Sequence, residues 1–107
     1  SAKLKNLKMT DSQMINCNVE SYEKALKLIN AHGIIKSGEA MFELSKTLEK
    51  VHRDTFHASY GLGRYLLALT WYKTLTERNI DNNDFNNFDE EVSEEQRKLS
   101  IKIVNKL

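Results

Sequence analysis

Proline is absent from the 107 residues, cysteine occurs once, tryptophan once and glycine four times. Without proline the chain has no stiff linker. The lone Cys17 excludes an intramolecular disulfide framework and a thiolate-built zinc site. It fits a reducing compartment and reads as a buried free thiol. Charge of one sign is missing too: 16 basic against 15 acidic side chains leave a formal net charge of +1. No overall field gathers nucleic acid, anionic lipid or acidic substrate, so neither nucleic acid nor membrane is expected as a partner. Apolar runs long enough to cross a bilayer are lacking, and Ser1-Ala2-Lys3-Leu4-Lys5 has no apolar core of a secretion signal. This leaves the compartment open, since a longer parent fits either the cytoplasm or export. The length suits one domain with a modest core, yet falls below what an α/β enzyme needs for a complete crevice. A small module or a piece is expected, and an opening Ser1-Ala2 without Met agrees with a cut end.

What is present is helical patterning. Residues 1–17 are polar with scattered apolar positions (Leu4, Leu7, Met9, Met14, Ile15) and are expected as an arm or short helix. Residues 18–107 form the main helical part. Asn18 is a suitable N-cap, Tyr22, Ala25, Leu26 and Ile29 keep helical spacing, and Gly33 is placed to end a helix at about 19–32. Gly33-Ile34-Ile35-Lys36-Ser37-Gly38 suits one short strand or an extended connector. A helix from about Gly38 follows, with Ala40, Leu44, Leu48 and Val51 on one face. Ser59 caps the next helix, striped by Leu62, Tyr65, Leu66, Leu69, Tyr72 and Leu75 and widened by Leu67 and Trp71; this is the expected most buried element. Asn79 to Glu90 reads as a polar loop pinned by Ile80, Phe85 and Phe88. Ser93-Glu94-Glu95-Gln96 is a capping box opening a last helix with Leu99, Ile103 and Leu107 aligned. The fold class is mainly α, about four helices with at most one short strand.

The chemistry lies in Arg53-Asp54-Thr55-Phe56-His57-Ala58-Ser59. Three-residue spacing in a turn lets the Asp54 carboxylate reach the His57 Nδ1 and leaves Nε2 facing outward as a general base. D-x-x-H alone recurs by chance, with Asp54 as a turn cap and His57 as a surface residue. The flanking residues add specificity. Asp54-Thr55-Phe56-His57-Ala58-Ser59, then Gly61, then Gly63-Arg64-Tyr65-Leu66 through Trp71-Tyr72 resembles the last conserved block of the SGNH, or GDSL-like, hydrolases. More narrowly it is similar to a poorly characterised bacterial branch of them. Ile34-Ile35-Lys36-Ser37-Gly38-Glu39-Ala40 resembles the final strand and turn of that fold, and Val92-Ser93-Glu94-Glu95 the start of its last helix. The likeness runs over about residues 20–107.

The resemblance implies the C-terminal part of an α/β, flavodoxin-like hydrolase domain, with Asp54 as triad acid and His57 as base. The nucleophilic serine and the oxyanion-hole Gly and Asn belong to blocks that this chain does not contain. Ser59 matches but as a helix cap. Thr10-Asp11-Ser12 is a faint Gly-Asp-Ser that lacks the glycine and the preceding apolar strand. Alone, an Asp–His pair moves a proton but has nothing to acylate and nothing to stabilise a tetrahedral intermediate. No esterase activity is expected of this chain by itself, and an ester is a substrate only of the full-length parent. No cofactor and no metal are expected: His52, Asp54 and His57 match no ligand spacing with a mechanical rationale. Gly61-Leu62-Gly63 lacks the strand and third glycine of a phosphate loop. Arg53 and Arg64 flank the loop, where single arginines more often pair with carboxylates than hold an anionic substrate group. The rival reading is a small helical interaction module, self-associating through exposed apolar faces.

Overall fold

The computed structural model describes residues 9–54 and 57–107, and it divides into two compact units between Ile34 and Ile35. Leu4, Leu7, Thr55 and Phe56 lie outside the described residues.

The first unit carries helix α1, Asp11–Leu28. It begins well before the expected 19, because Thr10 and Gln13 form a reciprocal capping box: Gln13 N donates to Thr10 Oγ1 (3.1 Å) and Thr10 N to Gln13 Oε1 (2.9 Å). That pairing satisfies two otherwise orphaned N–H groups at a helix start and outweighs the cap expected of Asn18, which sits inside the helix. The exit also differs. Asn30 takes the left-handed conformation (φ 53°), and the Ala31 N–H reaches back to Leu26 O at 3.1 Å. This closes a Schellman turn in which asparagine does what glycine more often does, so Gly33 is not the terminator. Cys17 is exposed, not buried, since α1 has no buried residue.

The second unit packs α2 (Ser37–Ser45), α3 (Leu62–Thr76) and α4 (Glu94–Lys106) against one another. Four helices and no strand are described, the only bridge among the described residues being an isolated antiparallel one between His52 and Ala58. Ile34 and Ile35 are half-buried in an extended connector. Ala40 and Leu44 from α2, Leu66 and Leu69 from α3, Ile103 and Val104 from α4, with Val51 and Ile80 from the connections, make the core. α3 buries the most side chains of the four, but its stripe is covered only in part: Trp71, Tyr72 and Leu75 are exposed. Trp71 lies at the level of the first residue of α2, where its Nε1 donates to Ser37 Oγ at 3.0 Å, and Leu75 lies a turn further along α3.

Arg97 ties the polar loop to α4. Its guanidinium is buried and donates to Phe85 O (2.8 Å), to Asn83 O and to Glu94 Oε2 (2.6 Å). Phe85 and Phe88 stack edge-on with centroids 5.2 Å apart, and both pack on the Tyr65 ring. The Tyr65 hydroxyl donates to Asn83 Oδ1 at 2.7 Å. Burial pushes the Tyr65 phenol above its ordinary value of 10.0, against the opposing pull of Arg97. An unfolded chain therefore loses this proton first as pH rises. The stabilisation is complete below pH 10.0 and is lost as pH climbs through the higher folded value. Denaturant midpoints of wild type and Tyr65→Phe, followed from neutral to strongly alkaline pH, are expected to converge above that point.

Candidate active site

The loop after α2 is closed at its mouth by main-chain pairing. Ser59 N donates to Val51 O and Arg53 N to His57 O, both at 3.0 Å, on either side of the His52–Ala58 bridge. Val51 and Ser59 are buried and anchor this ribbon against the start of α3. The approach is close: a Cβ on Gly63 would lie 2.7 Å from Val51 O and 3.0 Å from both Ala58 Cβ and Ser59 Oγ. Only glycine lets the helix entrance lie so near the ribbon. The N-cap position is Gly61 and not the expected Ser59, yet Ser59 from two residues upstream satisfies the first turn, its Oγ accepting from Gly63 N at 2.8 Å and its carbonyl from Arg64 N at 3.1 Å.

At the end of the ribbon Asp54 grips His57 twice. One carboxylate oxygen accepts from the His57 main-chain N–H and the other faces the ring Nδ1, each at 2.7 Å. The same side chain thereby fixes the backbone and the imidazole of one residue, which narrows the ring's freedom more than a single contact would. In the neutral ring this pairing calls for the proton on Nδ1, leaving Nε2 a bare acceptor. The two side chains stay accessible, at 61% for His57 and 48% for Asp54. His52 contributes its main chain to the bridge and is not drawn into the pair; among the described residues no group of three or more His, Cys, Asp or Glu is placed to hold a metal ion. Ser12 lies in the first turn of α1.

One neighbour had no assigned role in the sequence. Two guanidiniums lie over the Tyr60 ring, Arg53 Cζ 4.6 Å and Arg64 Cζ 4.3 Å from its centroid, and Arg53 Nη1 donates to the Tyr60 hydroxyl. Arg64 also faces Asp89 at 3.4 Å, and Glu90 Oε2 accepts from Gly61 N at 3.3 Å. The polar loop thus reaches the helix entrance. The pairing of Arg64 with a carboxylate was foreseeable, whereas Tyr60 gave no signal beyond lying between two arginines in sequence.

The family model described as "Domain of unknown function (DUF4886)" matches residues 2–104. The chain belongs to the DUF4886 family. A crystal structure of a DUF4886 family protein from Bacteroides uniformis ATCC 8492 is similar, with a TM-score of 0.84 and 27% identity over 96% of this chain. The match covers 40% of that chain, so this DUF4886 sequence spans well under half the length of its solved relative. No curated protein matches it. The family description names no activity. Among the described residues no helix is long and apolar enough to cross a membrane.

Proposed function

We propose that Asp54 and His57 are the acid and base of an SGNH-type serine ester hydrolase whose nucleophile and oxyanion donors come from sequence outside these 107 residues. In the complete site the serine hydroxyl adds to the ester carbonyl while His57 Nε2 takes its proton. The same nitrogen returns that proton to the departing alkoxide, and water repeats the cycle on the acyl-enzyme. Asp54 holds the ring and stabilises the imidazolium. Residues 1–107 alone carry only this half and are inactive, and the natural substrate is an acylated carbohydrate or lipid.

The observation that supports this reading is the double grip of Asp54 on an accessible imidazole, at 2.7 Å to the main chain and 2.7 Å to Nδ1. A lone turn cap needs only the first contact. The greater length of the solved DUF4886 relative agrees with a larger active protein. Ester turnover by the full-length protein carrying His57→Ala tests the assignment, and unchanged turnover removes it.

A second reading, a non-catalytic association module, draws on the exposed end of α3, where Trp71, Tyr72 and Leu75 are 52%, 44% and 69% accessible. Exposed apolar clusters of this kind mark contact surfaces. A sedimentation profile that stays monomeric at high concentration rules out self-association.

A further inference from the structure

The Arg53–Tyr60–Arg64 stack serves no purpose in proton transfer, yet it grows from the same ribbon as the Asp54–His57 pair. Arg53 N is bonded to His57 O, so the two residues face each other across the loop mouth. Two like charges lie over one ring, and the quadrupole of a phenol can favour each of them.

The nearby carboxylates keep their negative charge, but among the described residues only one of them forms an ion pair with the stack. Asp54 is engaged on His57 and Glu90 on Gly61 N. Asp89 meets Arg64 at 3.4 Å but is 76% accessible, and so exposed a pair is easily exchanged for another anion. Arg53 is in none of the ion pairs among the described residues. Because the Tyr60 oxygen accepts from Arg53, its own O–H proton is available to donate. Two guanidiniums and a hydroxyl are therefore gathered around one exposed ring, donors of the kind that bind a carboxylate or phosphate.

We propose that this stack is the specificity element of the site, a cationic clamp that takes an anionic group carried by the ester substrate. It rests on the assignment of His57 as base and adds the substrate class. The charge is borne either by the acyl part or by the alcohol, and three probes separate these: 4-nitrophenyl acetate is neutral, 4-nitrophenyl hydrogen succinate is charged on the acyl side, and 4-acetoxybenzoate on the alcohol side.

In the full-length protein, Arg53→Gln and Arg64→Gln are each expected to lower the kcat/KM ratio of one charged ester to the neutral one by about tenfold, the scale of a lost charge-assisted hydrogen bond. The ester that suffers identifies the charged side. Ratios unchanged for both charged esters overturn the clamp. If none of the three is hydrolysed, the hydrolase reading fails, and the clamp is decided on the 107-residue chain by titrating succinate against the side-chain N–H signals of Arg53 and Arg64. Saturable shifts that vanish in Arg53→Gln uphold it, and the absence of saturation overturns it.

Discussion

His57→Ala in the full-length protein is expected to reduce ester turnover by about a thousandfold or more, while His52→Ala leaves it within a factor of about two. The contrast follows from geometry. His52 is exposed and joins the ribbon through its main chain, whereas His57 has its ring tied to Asp54 at 2.7 Å. A base removed from a serine triad leaves the hydroxyl with its proton at neutral pH, and only binding and oxyanion contacts then accelerate the reaction. Steady-state kinetics on the three proteins measures this. Equal losses in both variants would mean that the loop matters as a structural support and not through the imidazole.

The second large effect lies away from the reacting groups. Arg97→Ala is expected to destabilise the 107-residue chain by about 3 kcal/mol and to lower its melting temperature by roughly 10 °C or more. Arg97 is 7% accessible and its guanidinium makes three charge-assisted hydrogen bonds, to the carbonyls of Asn83 and Phe85 and to the Glu94 carboxylate, all lost on truncation. Without it those oxygens lose their partners and the Phe85–Phe88–Tyr65 cluster loses its clamp. Arg64→Ala removes only an exposed 3.4 Å pair and a ring contact, worth about 0.5 kcal/mol. Differential scanning calorimetry separates the two, and similar melting points would show that the loop is held by its aromatic residues alone.

How much of this was legible beforehand depended on whether the signal was local. The capping box at Ser93 and Gln96 is a fixed spacing of three residues, and it is found as read, with α4 opening at Glu94. The equivalent box at Thr10 and Gln13 is equally local, but the apolar spacing that marks a helix begins only beyond it and points to Asn18. Ala40, Leu44 and Val51 are buried as their periodicity implied, although α2 ends at Ser45 and Val51 arrives there through a turn. Tyr72 and Leu75 share the stripe of α3 with Leu66 and are exposed, since a stripe records which face is apolar but not how far a neighbouring helix extends. In the site, Asp54 and His57 are adjacent enough for spacing to bring them together. The stacking of Arg53 and Arg64 on Tyr60, and the reach of Asp89 and Glu90 to the helix entrance, depend on contacts across up to 29 residues that no short pattern encodes. The Cβ clearance at Gly63 is of the same kind: the glycine was visible, while the Val51 carbonyl that requires it was not.

The claim that Asp54 locks the His57 ring with its proton on Nδ1 can be examined in this chain without any serine. Nitrogen-15 spectra of the imidazole at a pH where it is neutral report which ring nitrogen carries the proton. The account predicts a protonated Nδ1 and a bare Nε2, reverting in Asp54→Asn to the mixture of tautomers found in a free histidine. A wild-type ring that already shows that mixture, or carries its proton on Nε2, would contradict it.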